Sequence, residues 1–526
     1  MHALTKFLHL TFAFLAFFFV QSICASTSQF TLSYRDDPSS TIVIGWSGDV
    51  GTLYYDVVDH GANYLLYPNS KLVDRSSNIH GINRRFVRLN GLLANTEYYF
   101  VVKDAQNMIS SRYYFKTLSN DSETPLSFIS GGDTRDGFKL LGVYIEDCPS
   151  GDCREMRRKG NKMVAKLRPD FVAFNGDFVM NQITSNTNQE WNNWLDEWEL
   201  TYSSDGRVYP MTFTQGNHED NADIYNLFDV PVEEYYALNF HDRLLRLYLL
   251  NSEMNACSST AQLDWLTNDL QNHTSSNADP YWKFVNYHVP TFSMGNGYGL
   301  APEQMECWVP LFESFGVRLV MESHGHLTKW SYPCKANATL SDFELSDDGI
   351  VYIGEGQWGA PHRNLDFTGA NQKPYIRDQD VFDNFFWVRV TPNQTTVQCI
   401  PFANEENLQE SQDNALGKEL SLEVPVWSPS NGNQIVLNNA STDIQEVNHE
   451  FISIFPNVAN DFLKIRSSSI LKKVELINSL GKSVYSKQGL TSYEELIHTK
   501  SLPRGVYYII AQTENTRVYK EKIILH

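Results

Sequence analysis

Five stretches of this chain run an apolar strand straight into Asp, Asn or His. Phe128-Ile129-Ser130-Gly131-Gly132-Asp133 comes first, then Phe174-Asn175-Gly176-Asp177, then Met211-Thr212-Phe213-Thr214-Gln215-Gly216-Asn217-His218-Glu219. Val285-Asn286-Tyr287-His288 and Val320-Met321-Glu322-Ser323-His324-Gly325-His326 complete the set. Between them the pattern turns helical. Residues 154–167 have helical spacing and Pro169 stops them ahead of a buried strand at 171–174; residues 262–270 form a second helix ahead of a strand at 282–287. Such alternation from 126 to about 401 implies an α/β layered domain, in which active residues gather on loops at strand ends.

A lone Gly-Asp is more often a turn, and a lone His at a strand end is usually a satisfied polar residue. Five such ends in one domain ask for a joint explanation. Glycine ahead of a carboxylate frees the backbone to turn sharply, so oxygen and imidazole donors from separate loops can converge. A mixed N/O set without thiolates suits hard or borderline metals. One carboxylate can bridge two ions while neutral histidines fill the outer positions. Two ions ~3.5–4 Å apart can clamp a phosphoryl group and acidify a water together.

The ordered motifs Gly132-Asp133, Gly176-Asp177, Gly216-Asn217-His218-Glu219, His288 and His324-Gly325-His326 resemble those of the calcineurin-like metallophosphoesterase superfamily, nearest its purple acid phosphatase branch. The resemblance implies a four-layer α/β domain, two sheets flanked by helices, holding two metal ions, with iron, zinc or manganese expected. It implies that Asp177 bridges both ions, with Asp133 and His326 on the first and Asn217, His288 and His324 on the second. His218 would stand near the leaving group as general acid or phosphate hydrogen bond, while a metal-bound hydroxide attacks phosphorus in line.

Two positions depart from the pattern. Many members place a histidine two residues after the first Asp, where this chain has Arg135. The purple enzymes place a tyrosine three residues after the second Asp, where it has Met180. Guanidinium offers no lone pair and a thioether is a soft match. The first metal is thus left with Asp133, Asp177 and His326, unless Asp136 or Asn181 fills the gap, and no purple colour is expected. Arg135 reads as a clamp on substrate phosphate or as a salt-bridge partner of a carboxylate such as Asp136. Ser323 stands where the family has glycine. The stretch 354–363 resembles a glycine-rich segment of the branch that would bring His362 or Arg363 near the pocket mouth.

The remaining chain sorts around this domain. Residues 1–25 read as a signal peptide, with Lys6 ahead of an apolar run, and no later run is long enough to span a bilayer. Short alternating strands at 28–118 suggest a β-sandwich, resembling the fibronectin-III-like domain that precedes the catalytic domain in the purple branch. The catalytic domain is placed at 126–402, and a polar linker at 403–450 with one strand at 434–437. Residues 451–526 form a small β domain resembling a C-terminal sorting domain of type IX secretion. That implies export to the cell surface or beyond, with the secretion machinery as partner.

With 42 basic and 62 acidic residues, a net charge of −20 disfavours binding to nucleic acid. Of the seven cysteines, the six that follow the signal segment, Cys148, Cys153, Cys257, Cys307, Cys334 and Cys399, permit three disulfides in an exported chain, with Cys148 and Cys153 able to close a local loop. The leading expectation is hydrolysis of phosphate monoesters. A phosphodiesterase acting on nucleotides or lipids, or a non-catalytic surface-binding protein, are the alternatives.

Overall fold

The apolar strands assemble into two large sheets in the computed structural model, which describes residues 27–525 apart from 138, 141–142, 145–151, 181–186, 221, 275–278, 296–298, 366–372, 404, 412–417, 422, 440–451, 456–457, 460–461, 480 and 515–517. The signal segment 1–25, residues 145–151 with Cys148, and Asn181 lie outside the described residues. In the first sheet Leu126–Gly131, Phe171–Phe174 and Pro210–Phe213 run parallel side by side. In the second, Leu245–Leu249, Trp282–Asn286, Leu319–Met321 and Val351–Gly354 do the same.

Alternation along the second sheet sorts its side chains into two cores. Leu247, Leu249, Phe284, Leu319 and Met321 face the core shared with the first sheet. Tyr248, Val285, Tyr287 and Val320 face a separate core closed by Leu266, Leu270, Met305, Val309 and Phe312 from the helices Thr260–Asn272, Pro302–Cys307 and Val309–Ser314. The helices Cys153–Leu167 and Thr187–Trp198 pack on the first sheet through Met163, Val164, Trp191, Trp194 and Leu195. The order is helix, sheet, sheet, helix, as expected. Asp152 caps the helix Cys153–Leu167 by accepting from Arg154 N at 3.1 Å, and Arg168 ends it in the left-handed region ahead of Pro169.

The N-terminal sandwich is built onto the first sheet. Thr27–Ser33 pairs parallel with Pro210–Phe213, placing Leu32 opposite Pro210, and Ile42–Gly48, Ile82–Leu89 and Arg75–Ile79 extend the sheet to its edge. A four-stranded sheet of Asn69–Leu72, Gly51–Asp56, Glu97–Asp104 and Tyr113–Lys116 closes over Phe30, Trp46, Leu53, Val87, Phe100 and Phe115. Sandwich and central sheet therefore share one core.

An ion cluster reinforces the junction. Buried Asp229 accepts from Arg88 Nε at 2.7 Å and Nη2 at 2.8 Å, and lies 3.2 Å from Arg75 Nη1. Asp229→Asn should lower stability by about 2–3 kcal/mol, short of the ~3–5 kcal/mol for a fully buried pair because the arginines are partly solvated. Thermal melting of the full chain would register the loss as a lower midpoint.

Toward the C-terminus, Ile435–Asn438 pairs antiparallel with Gln394–Pro401, so the strand expected at 434–437 forms and joins the first sheet. Beyond it, Phe462–Asn478, Ser483–His498, Gly505–Thr513 and Val518–Leu525 make a β-rich module with its own core of Leu463, Ile465, Val474, Leu476, Ile509 and Ile523. No helix among the described residues is long and apolar enough to cross a membrane.

The sequence leaves the cysteine pairing open, and the structure supplies part of it: Cys257 and Cys307 form a disulfide, whereas Cys334 and Cys399 are buried free thiols. Cys334 belongs to the core behind the second sheet and Cys399 to the core of the first, so they cannot meet.

Candidate metal centre

Parallel strands bring their C-terminal ends to one edge, and the predicted residues follow those ends. Asp133 follows Leu126–Gly131, Asp177 follows Phe171–Phe174 and Asn217 follows Pro210–Phe213. His288 follows Trp282–Asn286, and His324 and His326 follow Leu319–Met321. Asp133, Asp177, His324 and His326 all take positive φ, at 57°, 54°, 69° and 55°. Non-glycine residues rarely adopt that region, and they cluster there at functional sites.

Neighbouring turns brace these conformations. Asp133 N donates to Gly176 O at 3.0 Å, Thr134 N to Asp177 O at 2.9 Å, and His326 N to Glu355 O at 2.8 Å. Two glycines are required by contact. A Cβ on Gly216 would stand 2.3 Å from Asp177 Oδ1, and one on Gly356 1.5 Å from Asp133 Oδ2.

All six predicted donors converge. His288 Nε2 lies 3.2 Å from Asp177 Oδ1 and 3.1 Å from Asn217 Oδ1, and His324 Nδ1 lies 2.8 Å from that same Asn217 oxygen. His326 Nε2 lies 3.2 Å from Asp133 Oδ1. Asp177 with His288 and His324, and Asp133 with Asp177 and His326, form two groups that could each hold a metal ion. Asp177 belongs to both. Asp133 Oδ1, Asp177 Oδ2 and His326 Nε2 are buried without hydrogen-bond partners. Such atoms are costly to desolvate unless a cation satisfies them, so the donor set fits metal.

The surroundings fix which atoms face inward. His288 Nδ1 donates to Asn175 O at 2.8 Å and His326 Nδ1 to Pro361 O at 2.7 Å, so both present Nε2. Glu219 accepts from Gly216 N, Asp177 N and Phe178 N at 2.8, 3.0 and 2.8 Å, locking two of the turns together. Burial, reinforced by Asp177, raises the Glu219 carboxyl well above its ordinary range.

Burial lifts Asp133 to about 6 against the pull of His288. Burial acts the same way on Asp177, but His288 overrides it and holds that carboxyl well below the usual range. Burial takes His324 down to about 3, and burial with Arg135 takes His326 well below its ordinary value. Both are thus neutral imidazoles with a lone pair to give. His288 is the exception: burial opposes its charge, yet Asp177 and Asp133 carry it up to about 10, and a bound cation would displace that proton.

His218 stands beside the shared carboxylate, with Nε2 3.8 Å from Asp177 Oδ2 and its main-chain N donating to Asp177 Oδ1 at 3.1 Å. Burial lowers its pKa. Arg135 is 2% exposed and its Nε lies 3.9 Å from Asp177 Oδ2. Its Nη1 donates to Asp136 O at 3.1 Å and to Met180 Sδ at 3.4 Å, so the two departures from the family pattern touch. Asp136 joins neither donor group among the described residues. Ser323 is buried, and its Oγ has no hydrogen-bond partner. Arg363 Nη1 donates to His324 O at 2.6 Å, whereas His362 turns away to Asp383 Oδ2 at 3.0 Å.

The matches to known proteins agree with this geometry. Residues 132–327 match the family model of calcineurin-like phosphoesterases. That stretch is a calcineurin-like phosphoesterase domain. The family implies divalent metal ions. Residues 453–526 match the secretion system C-terminal sorting domain, so the phosphoesterase travels with an export module. No curated protein sequence matches the chain. Among solved structures, a purple acid phosphatase from yellow lupin seeds superposes with a TM-score of 0.58 at 14% identity, over 78% of this chain and 74% of that one. PhoD superposes at 0.54 with 12% identity, over 79% and 91%. At these identities the likeness is one of fold.

Sequence reasoning missed a buried charge cluster behind the phosphoesterase histidines. Lys329 Nζ lies 2.7 Å from Glu322 Oε2 and 3.3 Å from Glu355 Oε1, and donates to Phe292 O. Glu322 Oε1 also accepts from Tyr287 OH at 2.9 Å and Thr291 N at 2.7 Å. The signal was visible only as charged residues inside apolar strands, Glu322 after Met321 and Lys329 before Trp330.

Proposed function

We propose that this protein is an exported phosphatase, sorted through type IX secretion, that hydrolyses phosphate monoesters at a two-metal site. The observation that carries the reading is Asp177, one buried carboxylate common to two donor groups, with buried atoms lacking hydrogen-bond partners on Asp133, Asp177 and His326. In this reading Asp133, Asp177 and His326 hold one ion and Asp177, Asn217, His288 and His324 the other. Two such ions would polarise phosphoryl oxygens and acidify a water.

The chain's own residues do the rest. Glu219 keeps the loops of Asp177 and Asn217 in register, and Asn175 O and Pro361 O aim the imidazoles. His218 hydrogen-bonds the phosphate or gives a proton to the leaving oxygen. Arg135 and Arg363 border the donors, and a monoester dianion gains more from two guanidinium charges than a diester monoanion does. That contrast supports the monoester reading over the diester one.

Chromogenic monoester and diester substrates, assayed with added divalent metal, test the reading. Monoester turnover should exceed diester turnover by about tenfold or more, the weight of one charge contact. His218→Ala should reduce kcat by roughly 10²–10⁴-fold with metal content unchanged. Faster diester hydrolysis would replace the monoester assignment, and a chain that takes up no metal and turns over neither substrate is a binding protein.

A further inference from the structure

We infer that Arg135 and Met180 make the two metal positions unequal, so that an ion enters first and binds more tightly between Asp177, Asn217, His288 and His324, leaving the Asp133, Asp177 and His326 position weak and exchangeable. The inference rests on the two-metal reading above. It concerns what this chain has put where its relatives keep a ligand.

Donor supply differs first. Asn217 Oδ1 sits within 2.8 Å of His324 Nδ1 and 3.1 Å of His288 Nε2, so one position gathers an amide oxygen and two imidazoles around the shared carboxylate. The other gathers, among the described residues, His326, Asp133 and the shared carboxylate. Neither Arg135 nor Met180 adds to it: a guanidinium has no lone pair to offer, and a thioether suits soft ions.

Charge differs second. Arg135 Nε lies 3.9 Å from Asp177 Oδ2, the oxygen left without a hydrogen-bond partner and so the one available to the first position. The guanidinium has little room to leave. It is 2% exposed, and its Nη1 is held by Asp136 O and by Met180 Sδ. A fixed positive charge this near in a buried site opposes a cation more strongly than it would in water. Arg363 also borders the centre, where its Nη1 donates to the main-chain oxygen of His324 at 2.6 Å.

Metal counting on the full-length protein tests the ranking independently of turnover. After loading with zinc or manganese and dialysis against metal-free buffer, the wild type should retain one ion per chain, and calorimetric titration should show a second ion binding at least about tenfold more weakly. His326→Ala should keep the retained ion and His288→Ala should lose it. Arg135→Gln should narrow the affinity gap several-fold. Met180→Tyr, which adds an oxygen donor without disturbing Arg135's charge, should let a second ion survive dialysis. Two ions retained equally by the wild type, or loss of the tight ion in His326→Ala instead of His288→Ala, would overturn the ranking. So would an unchanged gap in both Arg135→Gln and Met180→Tyr. Failure of the wild type to take up any ion would overturn the two-metal reading itself, and the ranking with it.

Discussion

Asp177→Asn should give a folded protein that binds neither ion and turns over substrate about 10³–10⁴-fold more slowly. Every other candidate ligand serves one donor group, whereas Asp177 serves both. An amide in its place keeps an oxygen but loses the charge that lets one group face two cations. The fold should tolerate the change. Asp177 O, which receives Thr134 N and Arg135 N, is main chain and remains, and an amide oxygen can still accept from His218 N. His288 should not be stranded either. With the opposing charge gone, burial, the leading influence on that ring, takes it to the neutral form. Metal content measured beside circular dichroism decides the matter. A variant that keeps two ions would remove Asp177 from the shared position, and one that unfolds would show that the carboxylate serves the fold.

The sequence made this centre legible because its chemistry sits at the ends of continuous apolar strands, where periodicity locates both element and terminus. Asp133, Asp177, Asn217, His288, His324 and His326 could be picked out that way, and they converge. The strain they carry could not be read. The glycines ahead of Asp133 and Asp177 suggested where the backbone turns, yet the carboxylate residues themselves take the left-handed conformation. Hydrogen bonds from turns about 40 residues away hold them there, and such contacts leave no local signature. The Arg135–Met180 contact hid for the same reason, since two unremarkable substitutions explain each other only once 45 residues of chain have folded back. The joining of the sandwich to the central sheet depends on Leu32 meeting Pro210, a pairing that strand propensity cannot choose. Cysteine parity left the pairing open, since only the fold shows that burial in two different cores keeps Cys334 and Cys399 apart.

Lys329→Met should cost about 3–5 kcal/mol, the range for breaking a buried ion pair by removing one partner. Lys329 and Glu355 are 0% exposed and Glu322 2%, so water cannot replace the missing ammonium. The damage should reach the metal centre. Glu322 holds Tyr287 and Thr291 on either side of His288, and Glu355 O accepts from His326 N. The expected readout is a melting midpoint roughly 10 °C lower, with metal lost more easily than from the wild type. The pH dependence gives the cluster a second signature. Burial already raises the Glu355 carboxyl above its ordinary range, against the pull of Lys329, and removing the lysine must raise it further. A carboxyl whose folded-state pKa exceeds its unfolded value contributes stability that is fully present below the unfolded pKa and is lost as pH rises through the folded one. The variant should therefore approach wild-type stability near pH ~4–5 and fall furthest behind at pH ~8. Adding Glu355→Gln should recover part of the loss at high pH by removing the unpaired charge. A deficit that stays constant across this range, or a double variant no better than the single one, would mean that Lys329 acts through the contact of its ammonium with the Phe292 ring and not by neutralising Glu355.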